Sequence, residues 1–289
     1  MRFITKKDIK LPKRKSGSHK GQNGYVLAVG GSKEYAGAIA LAGLAALRSG
    51  CDLVKIIAPE KVAWAINAYS LDLVTMKIKG DYFKSSHFND VKNQIEKFDV
   101  LLIGNGIGLN NESKKFCKKT IKKIKKFKVI DADAIKSISM NDAENSIITP
   151  HHKELEHFLK NSKINKTIIN KINNETNIKK KSILIKNIMK KFLNKNNILL
   201  LKGKIDAIIL KNKILYVKGG NAGMTKGGTG DVLAGLCAGF LAQSKDIIQS
   251  AINASYFNKK IGDLLLKKKR GFTYLANDMV GEIKKVYHS

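Results

Sequence analysis

The run Lys226–Leu233, K-G-G-T-G-D-V-L, places three glycines, a threonine and an aspartate directly ahead of an apolar stretch that continues to Ala242. Gly227, Gly228 and Gly230 let the backbone turn several N–H groups toward one point, and Thr229 adds a hydroxyl. The helix expected over Asp231–Gln243 contributes the positive end of its dipole, so the segment has the makings of a phosphate cradle. Asp231 falls in the first turn of that helix. A carboxylate there repels bound phosphate, and stability alone does not favour it. The chemistry that justifies it is a base acting on a hydroxyl, or a contact to a substrate held against the nucleotide. The competing explanation is an N-cap aspartate after a flexible turn.

Five further segments carry glycine, carboxylate, imidazole or amine, each just after a short apolar run: Gly30-Gly31-Ser32, Gly104-Asn105-Gly106-Ile107-Gly108, Asp131-Ala132-Asp133, Thr149-Pro150-His151 and Lys202-Gly203. In an open α/β sheet the carboxyl ends of the strands border the ligand crevice, so these segments are expected to meet in one cleft. Other nucleotide signatures are missing. No G-x-x-x-x-G-K-[ST] occurs, and Gly104–Gly108 lacks G-x-G-x-x-G spacing, so neither a P-loop nor a dinucleotide fingerprint is supported. His151, His152 and His157 cluster without a carboxylate and cysteine pattern, and no metal site is expected there. His19, His87 and His288 read as surface residues.

The elements that must position these residues alternate. Strands are expected at Tyr25–Val29, Leu53–Ala58, Val74–Ile78, Val100–Gly104, Lys128–Asp131, Ser146–Thr149, Ile198–Lys202, Ala207–Leu210 and Ile214–Val217. Several are unbroken β-branched or leucine runs, as in strands buried on both faces of a parallel sheet. Helices are expected at Gly37–Ser49, Glu60–Ala68, Phe88–Lys97, Ser113–Phe127, Lys153–Lys160, Asp231–Gln243, Asp246–Lys267 and Tyr274–Val286. The pattern predicts an α/β fold, a three-layer αβα sandwich with a mostly parallel central sheet. Lys211-Asn212-Lys213 splits a hairpin, so one edge of the sheet is expected to be mixed. The polar stretch Asn161–Asn197 reads as exposed helices over one face. No composition break divides the chain, and residues 1–289 are expected to form a single domain.

With 289 residues and 43% hydrophobic content, the chain can bury a large core. Cys51, Cys117 and Cys237 show no C-x-x-C spacing, which argues against a disulfide framework or a zinc site and fits a cytoplasmic protein. The basic segment Met1–Lys15 has no apolar run behind it, so a signal peptide is not expected. The longest apolar runs, Gly37–Leu47 and Val232–Ala242, fall short of the ~20 residues of a membrane span, and no membrane partner is expected. The net charge of +31 invites a nucleic-acid reading. Its lysines, however, are spread through the chain among asparagines and isoleucines. Arginine is confined to Arg2, Arg14, Arg48 and Arg270, and aromatics do not interleave with the basic runs. Lys114–Lys128 and Lys179–Lys195 have apolar residues at helical spacing, so their lysines form solvated faces and no nucleic-acid partner is expected.

Taken in order, the motifs resemble a known family. They are L-P-K-R (Leu11–Arg14), H-K-G (His19–Gly21), G-G-S-x-x-Y-x-G-A (Gly30–Ala38), G-N-G-I-G, D-A-D-A (Asp131–Ala134), T-P-H-H-K-E-L (Thr149–Leu155), L-L-K-G (Leu200–Gly203) and N-A-G-M-T-K-G-G-T-G-D-V-L-A-G (Asn221–Gly235). The chain is similar, from Leu11 to Val280, to the ADP-dependent NAD(P)H-hydrate dehydratases, which are ribokinase-like. The resemblance implies a lyase that repairs NADH and NADPH hydrated at C6, using ADP or ATP and releasing AMP and phosphate. By position, it implies that Ala38, Gly106, His151 and Asp231 contact the hydrated dinucleotide. Lys202, Gly203, Lys204, Ile205, Asp206 and Gly230 would contact the nucleotide, with Gly227, Gly228 and Thr229 completing the cradle. Asp231 would take the proton of the C6 hydroxyl. Mg²⁺ is expected on the nucleotide phosphates, without a dedicated protein ligand, and a homotetramer is the implied assembly.

The chain departs from the family pattern at Ala222 (usually proline), Thr225-Lys226 (usually Ala-Thr), Lys153 (usually glycine) and Asn105 (usually proline). These changes bear on loop stiffness and charge, and so on the choice between ADP and ATP. No N-terminal epimerase domain is expected. The rival function is a ribokinase-like kinase of a small alcohol, a vitamin precursor or sugar, which would use the same cradle and Asp231 but accumulate a stable phosphorylated product.

Overall fold

The structure is a computed structural model that describes residues 1–268 and 271–287, so His288 lies outside the described residues. Among the described residues, ten strands form one sheet: β1 (Arg2–Phe3), β2 (Tyr25–Val29), β3 (Leu53–Pro59), β4 (Val74–Ile78), β5 (Val100–Ile103), β6 (Phe127–Ile130), β7 (Ser146–Ile148), β8 (Ile198–Leu201), β9 (Asp206–Ile209) and β10 (Ile214–Val217). Their order is β1-β10-β9-β8-β7-β6-β5-β2-β3-β4, and only β9 runs antiparallel to its neighbours. The expected hairpin is β9–β10, with Ala207 opposite Tyr216. The central strands are apolar on both faces because both faces are covered. Val26, Ala28, Val100 and Leu102 point to one layer, and Leu27, Val29, Leu101 and Ile103 to the other.

The first layer holds α1 (Ala36–Arg48), α2 (Glu60–Tyr69), α10 (Thr229–Ser244), α11 (Ile247–Lys268) and α12 (Ala276–Val286). The second holds α3 (Phe88–Ile95), α4 (Asn111–Lys123), α5 (Ala132–Ile135), α6 (His152–Asn161), α7 (Lys166–Asn174), α8 (Ile178–Ile188) and α9 (Lys190–Leu193). The small residues of α1 and α10 serve close packing. A Cβ on Gly235 would sit 2.1 Å from the Ala42 carbonyl oxygen, so the two helices meet backbone to backbone. That contact holds the N-terminus of α10 against the sheet. Helices α7 to α9 lie within Asn161–Asn197 and bury Ile169, Ile172, Ile185 and Phe192 beneath their lysines.

Several boundaries differ from the sequence reading. Helix α4 stops at Lys123 rather than Phe127, because Ile124 turns extended and Phe127 already belongs to β6. Lys128, fully buried, donates from Nζ to the carbonyls of Ile124 (2.9 Å) and Lys126 (3.0 Å) and so closes that turn. Burial pushes this ammonium's pKa down to about 8. Strands β5 to β8 start or end one residue early relative to expectation, which leaves Gly104, Asp131, Thr149 and Lys202 just beyond their carboxyl ends. Helix α10 begins two residues early, at Thr229, and α12 two residues late, at Ala276. β1 was not foreseen: two residues carry no period, and only pairing with β10 makes them a strand. Cys51, Cys117 and Cys237 are free and buried. No helix among the described residues is long and apolar enough to cross a membrane.

Candidate active site

The strand ends and the N-terminus of α10 enclose a cleft of about 1280 Å³. Ala38, Gly106, His151, Lys202, Gly203, Lys204, Asp206, Gly227, Gly228, Thr229, Gly230 and Asp231 all line it. Ile205 does not; its side chain packs against the second apolar layer.

The cradle is fixed by its own bonds. Thr229 Oγ1 donates to the carbonyls of Met224 (2.7 Å) and Lys226 (3.0 Å). Lys226 Nζ turns away to the carbonyls of Phe272 and Tyr274, tying the loop to the start of α12. Gly228 adopts φ +92°, and a Cβ there would lie 2.7 Å from that of Ala276. Gly227 has nothing within 4 Å of where a Cβ would be, so its backbone opens onto the cleft. A Cβ on Gly230 would come 3.3 Å from Lys202 Nζ, which sets a cation beside the cradle.

From the cradle a chain of polar groups crosses the cleft. Asn105 Nδ2 donates to Asp231 Oδ1 (2.6 Å) and to Asp131 Oδ2 (3.0 Å). Asp131 Oδ1 also accepts from Thr149 Oγ1 (2.6 Å) and Lys202 Nζ (2.9 Å). Lys202 Nζ lies 3.5 Å from Glu154 Oε2, which caps α6 by accepting from the His151 amide (2.9 Å). His151 Nδ1 accepts from the amides of Lys153 (3.1 Å) and Glu154 (3.4 Å), so the neutral ring carries its proton on Nε2. Burial lowers the His151 pKa, and Lys202 and Lys136 lower it further.

Asp231 is the group set apart. Burial, together with the charge of Asp131, pushes its pKa up to about 7, while Asn105 and Lys202 pull the other way. Burial alone would favour a neutral Lys202. Asp131, Glu154 and Asp231 outweigh it and hold the amine protonated, with its pKa raised. Burial likewise raises the pKa of Glu154, against the pull of Lys202. A base poised near neutrality beside a permanent cation and a phosphate cradle suits deprotonation of a hydroxyl that attacks a phosphoryl group.

Gly106 adopts φ +68°, and a Cβ there would lie 2.6 Å from the Tyr35 carbonyl oxygen and 3.1 Å from Ala38 Cβ. Small residues at 38 and 106 therefore answer to packing as well as to access. Asp206 lines the cleft, but its carboxylate is engaged within the protein, accepting from Gly203 N (3.0 Å) and Ser255 Oγ (2.8 Å) and pairing with Lys259 Nζ at 3.2 Å. Sequence reasoning missed Lys259, Asn258, Asn221 and Tyr35, which also line the cleft. No group of three or more His, Cys, Asp or Glu among the described residues is placed to hold a metal by itself.

A family model described as NAD(P)H-hydrate dehydratase matches residues 26–285. A bifunctional NAD(P)H-hydrate repair enzyme of Methanocaldococcus jannaschii is 40% identical over 96% of this chain, and the chain spans about half (51%) of that relative's length. An ADP-dependent (S)-NAD(P)H-hydrate dehydratase of Cenarchaeum symbiosum is 31% identical, with 91% of this chain and 88% of the relative aligned. A crystal structure of a ribokinase-like superfamily protein from Enterococcus faecalis superposes with TM-score 0.80 at 25% identity, covering 99% of this chain and 94% of that one. The fold is thus ribokinase-like, and the chain belongs to the NAD(P)H-hydrate dehydratase family.

Proposed function

We propose that this chain dehydrates NADH and NADPH hydrated at C6 of the nicotinamide ring, at the expense of ADP or ATP. The observation that carries the proposal is the contact of Asp231 with Asn105 at the mouth of the Gly227–Gly230 cradle, with Lys202 held protonated beside it. Ionised Asp231 takes the proton of the C6 hydroxyl as its oxygen attacks the terminal phosphoryl group. With ADP the leaving group is AMP. The cradle amides and Lys202 receive the charge that develops on the phosphoryl oxygens. The O–P bond formed makes the C6 oxygen a phosphate leaving group; the original C6–O bond then breaks with release of phosphate, pushed by the ring nitrogen, and loss of a proton from C5 restores the C5–C6 double bond. Ala38, Gly106 and His151 border the dinucleotide in this reading, and Lys202, Gly203, Lys204 and Asp206 border the nucleotide.

Mg²⁺ suits the donor set. A nucleotide-borne Mg²⁺ keeps several waters and needs one or two carboxylates rather than a protein cage, and Glu154 and Asp131 face the cleft. When bound it would neutralise phosphate charge. A homotetramer in the cytoplasm belongs to the same proposal, and sedimentation equilibrium checks the assembly.

The test incubates the purified chain with hydrated NADH, Mg²⁺ and either ADP or ATP, and follows recovery of reduced-nicotinamide absorbance. Recovery that requires nucleotide and is lost in Asp231→Asn supports the reading, and the better nucleotide identifies the donor. Nucleotide consumption with a stable phosphorylated product would point to a small-alcohol kinase instead.

A further inference from the structure

We propose that Asn258 reads the adenine base of the nucleotide through the 6-amino group. The inference rests on the cleft being a nucleotide site and deepens that reading. Asn258 lies on α11, is only 5% exposed, and lines the cleft. Its Oδ1 is enclosed without a hydrogen-bond partner among the described residues. Neighbouring amides behave otherwise. Asn253 donates to the Lys10 carbonyl (2.8 Å) and accepts from Gln249 (2.8 Å). Asn221 donates to the Gly262 carbonyl (2.8 Å) and accepts from Gly223 N (3.0 Å) and Tyr274 Oη (2.7 Å). A buried amide oxygen left idle is costly unless something fills it, and Asn258 borders the cleft.

The surroundings fit a flat base. One helical turn beyond Asn258, Gly262 lets Met224 settle onto α11; a Cβ there would lie 2.5 Å from Met224 Sδ. A Cβ on Gly220 would lie 2.6 Å from the same sulfur. The Met224 thioether, in the loop that leads into the cradle, offers a polarizable apolar surface at this part of the cleft. The next residue on α11, Lys259, bonds the Gly203 carbonyl and so fixes the nucleotide-side turn against the helix. Adenine presents an amine donor, and the oxygen of a side-chain amide accepts from it. Because no bond holds the enclosed oxygen, a half-turn about the last torsion of Asn258 exchanges its amide ends and turns Oδ1 to the 6-amino group.

The test is a cycle of two ligands and two proteins, read by calorimetry with Mg²⁺ present and no hydrated dinucleotide. The ligands are ADP and the purine riboside diphosphate that lacks the 6-amino group. Wild type is expected to bind ADP roughly tenfold more tightly than the analogue. Asn258→Leu is expected to bind the two equally, near the weaker affinity; Asn258→Ala gives the same comparison where leucine impairs folding. A variant that keeps the wild-type ratio, whatever its absolute affinity, overturns the proposal and leaves the dehydratase reading intact. A wild-type chain that binds neither ligand overturns both.

Discussion

Asn105 Nδ2 stands between two carboxylates, 2.6 Å from Asp231 Oδ1 and 3.0 Å from Asp131 Oδ2. The amide must face this way, because its oxygen in that place would meet two acidic oxygens. The cost is visible at the other end, where Asn105 Oδ1 is buried without a partner. Asn105 is therefore a positioning residue that aims Asp231 and favours its ionised form, against the burial that favours the acid.

Removing that donor moves the pH profile. Asn105→Ala is expected to raise the Asp231 pKa above its value of about 7. A hydrogen bond to a charged group contributes about 1.5–3 kcal/mol, which corresponds to roughly one to two pH units. The acid limb of kcat shifts upward by that amount, and activity returns toward wild type in alkali. A uniform loss at every pH would show that Asn105 does not tune the base.

Asp231→Asn is expected to lower kcat by about 10²–10⁴-fold. Its stability should move the opposite way. The folded-state pKa is raised from 3.8 to about 7, so the folded chain holds this proton more tightly than the unfolded chain does. The stabilisation is full below the unfolded pKa and is lost as pH rises through 7. Asparagine carries no charge to desolvate, so the variant gains up to roughly 4 kcal/mol at pH above 7. Urea unfolding at pH 8 and near pH 4 checks this, with the gain expected only at the higher pH.

Lys202 and Lys204 separate binding from structure. Lys202 bridges buried Asp131 and Glu154, whereas Lys204 is exposed. Lys202→Met strands two buried carboxylates and is expected to cost about 3–5 kcal/mol in chemical denaturation. Lys204→Ala should stay within about 0.5 kcal/mol of wild type. Both are expected to raise KM for the nucleotide.

The cluster of strand ends was legible because β2, β5 and β8 are unbroken apolar runs, so the residues just after them had to gather at one edge. The start of α10 was misjudged by two residues, since Thr229 and Gly230 read as loop although the helix already begins there. Asp206 shows the limit of reading by position. It lines the expected turn, yet its carboxylate faces Gly203, Ser255 and Lys259 rather than standing free. Asn258 and Lys259 left no signal, because α11 reads as an ordinary amphipathic helix and only its docking brings that face to the cleft. Asn105 was visible as an unusual residue, but its bridge depends on Asp131 and Asp231, which lie 26 and 126 residues away in the chain.

Gly106 and Gly37 test whether the dinucleotide side of the cleft is set by close backbone approach. At Gly106 the backbone is left-handed, and an added Cβ meets the Tyr35 carbonyl oxygen at 2.6 Å and Tyr35 Cβ at 2.9 Å. Gly106→Ala must push the start of α1 away, at about 1–3 kcal/mol. It is expected to raise KM for the hydrated dinucleotide while leaving nucleotide affinity near wild type, because the cradle stands on α10 rather than α1. Gly37, one turn-start away in α1, has nothing within 4 Å of a Cβ. Gly37→Ala is expected to stabilise by up to about 1 kcal/mol through helix propensity and to leave both KM values unchanged. Equal effects of the two alanines on dinucleotide KM, measured alongside thermal unfolding, would mean that the approach of Gly106 to Tyr35 does not shape the site.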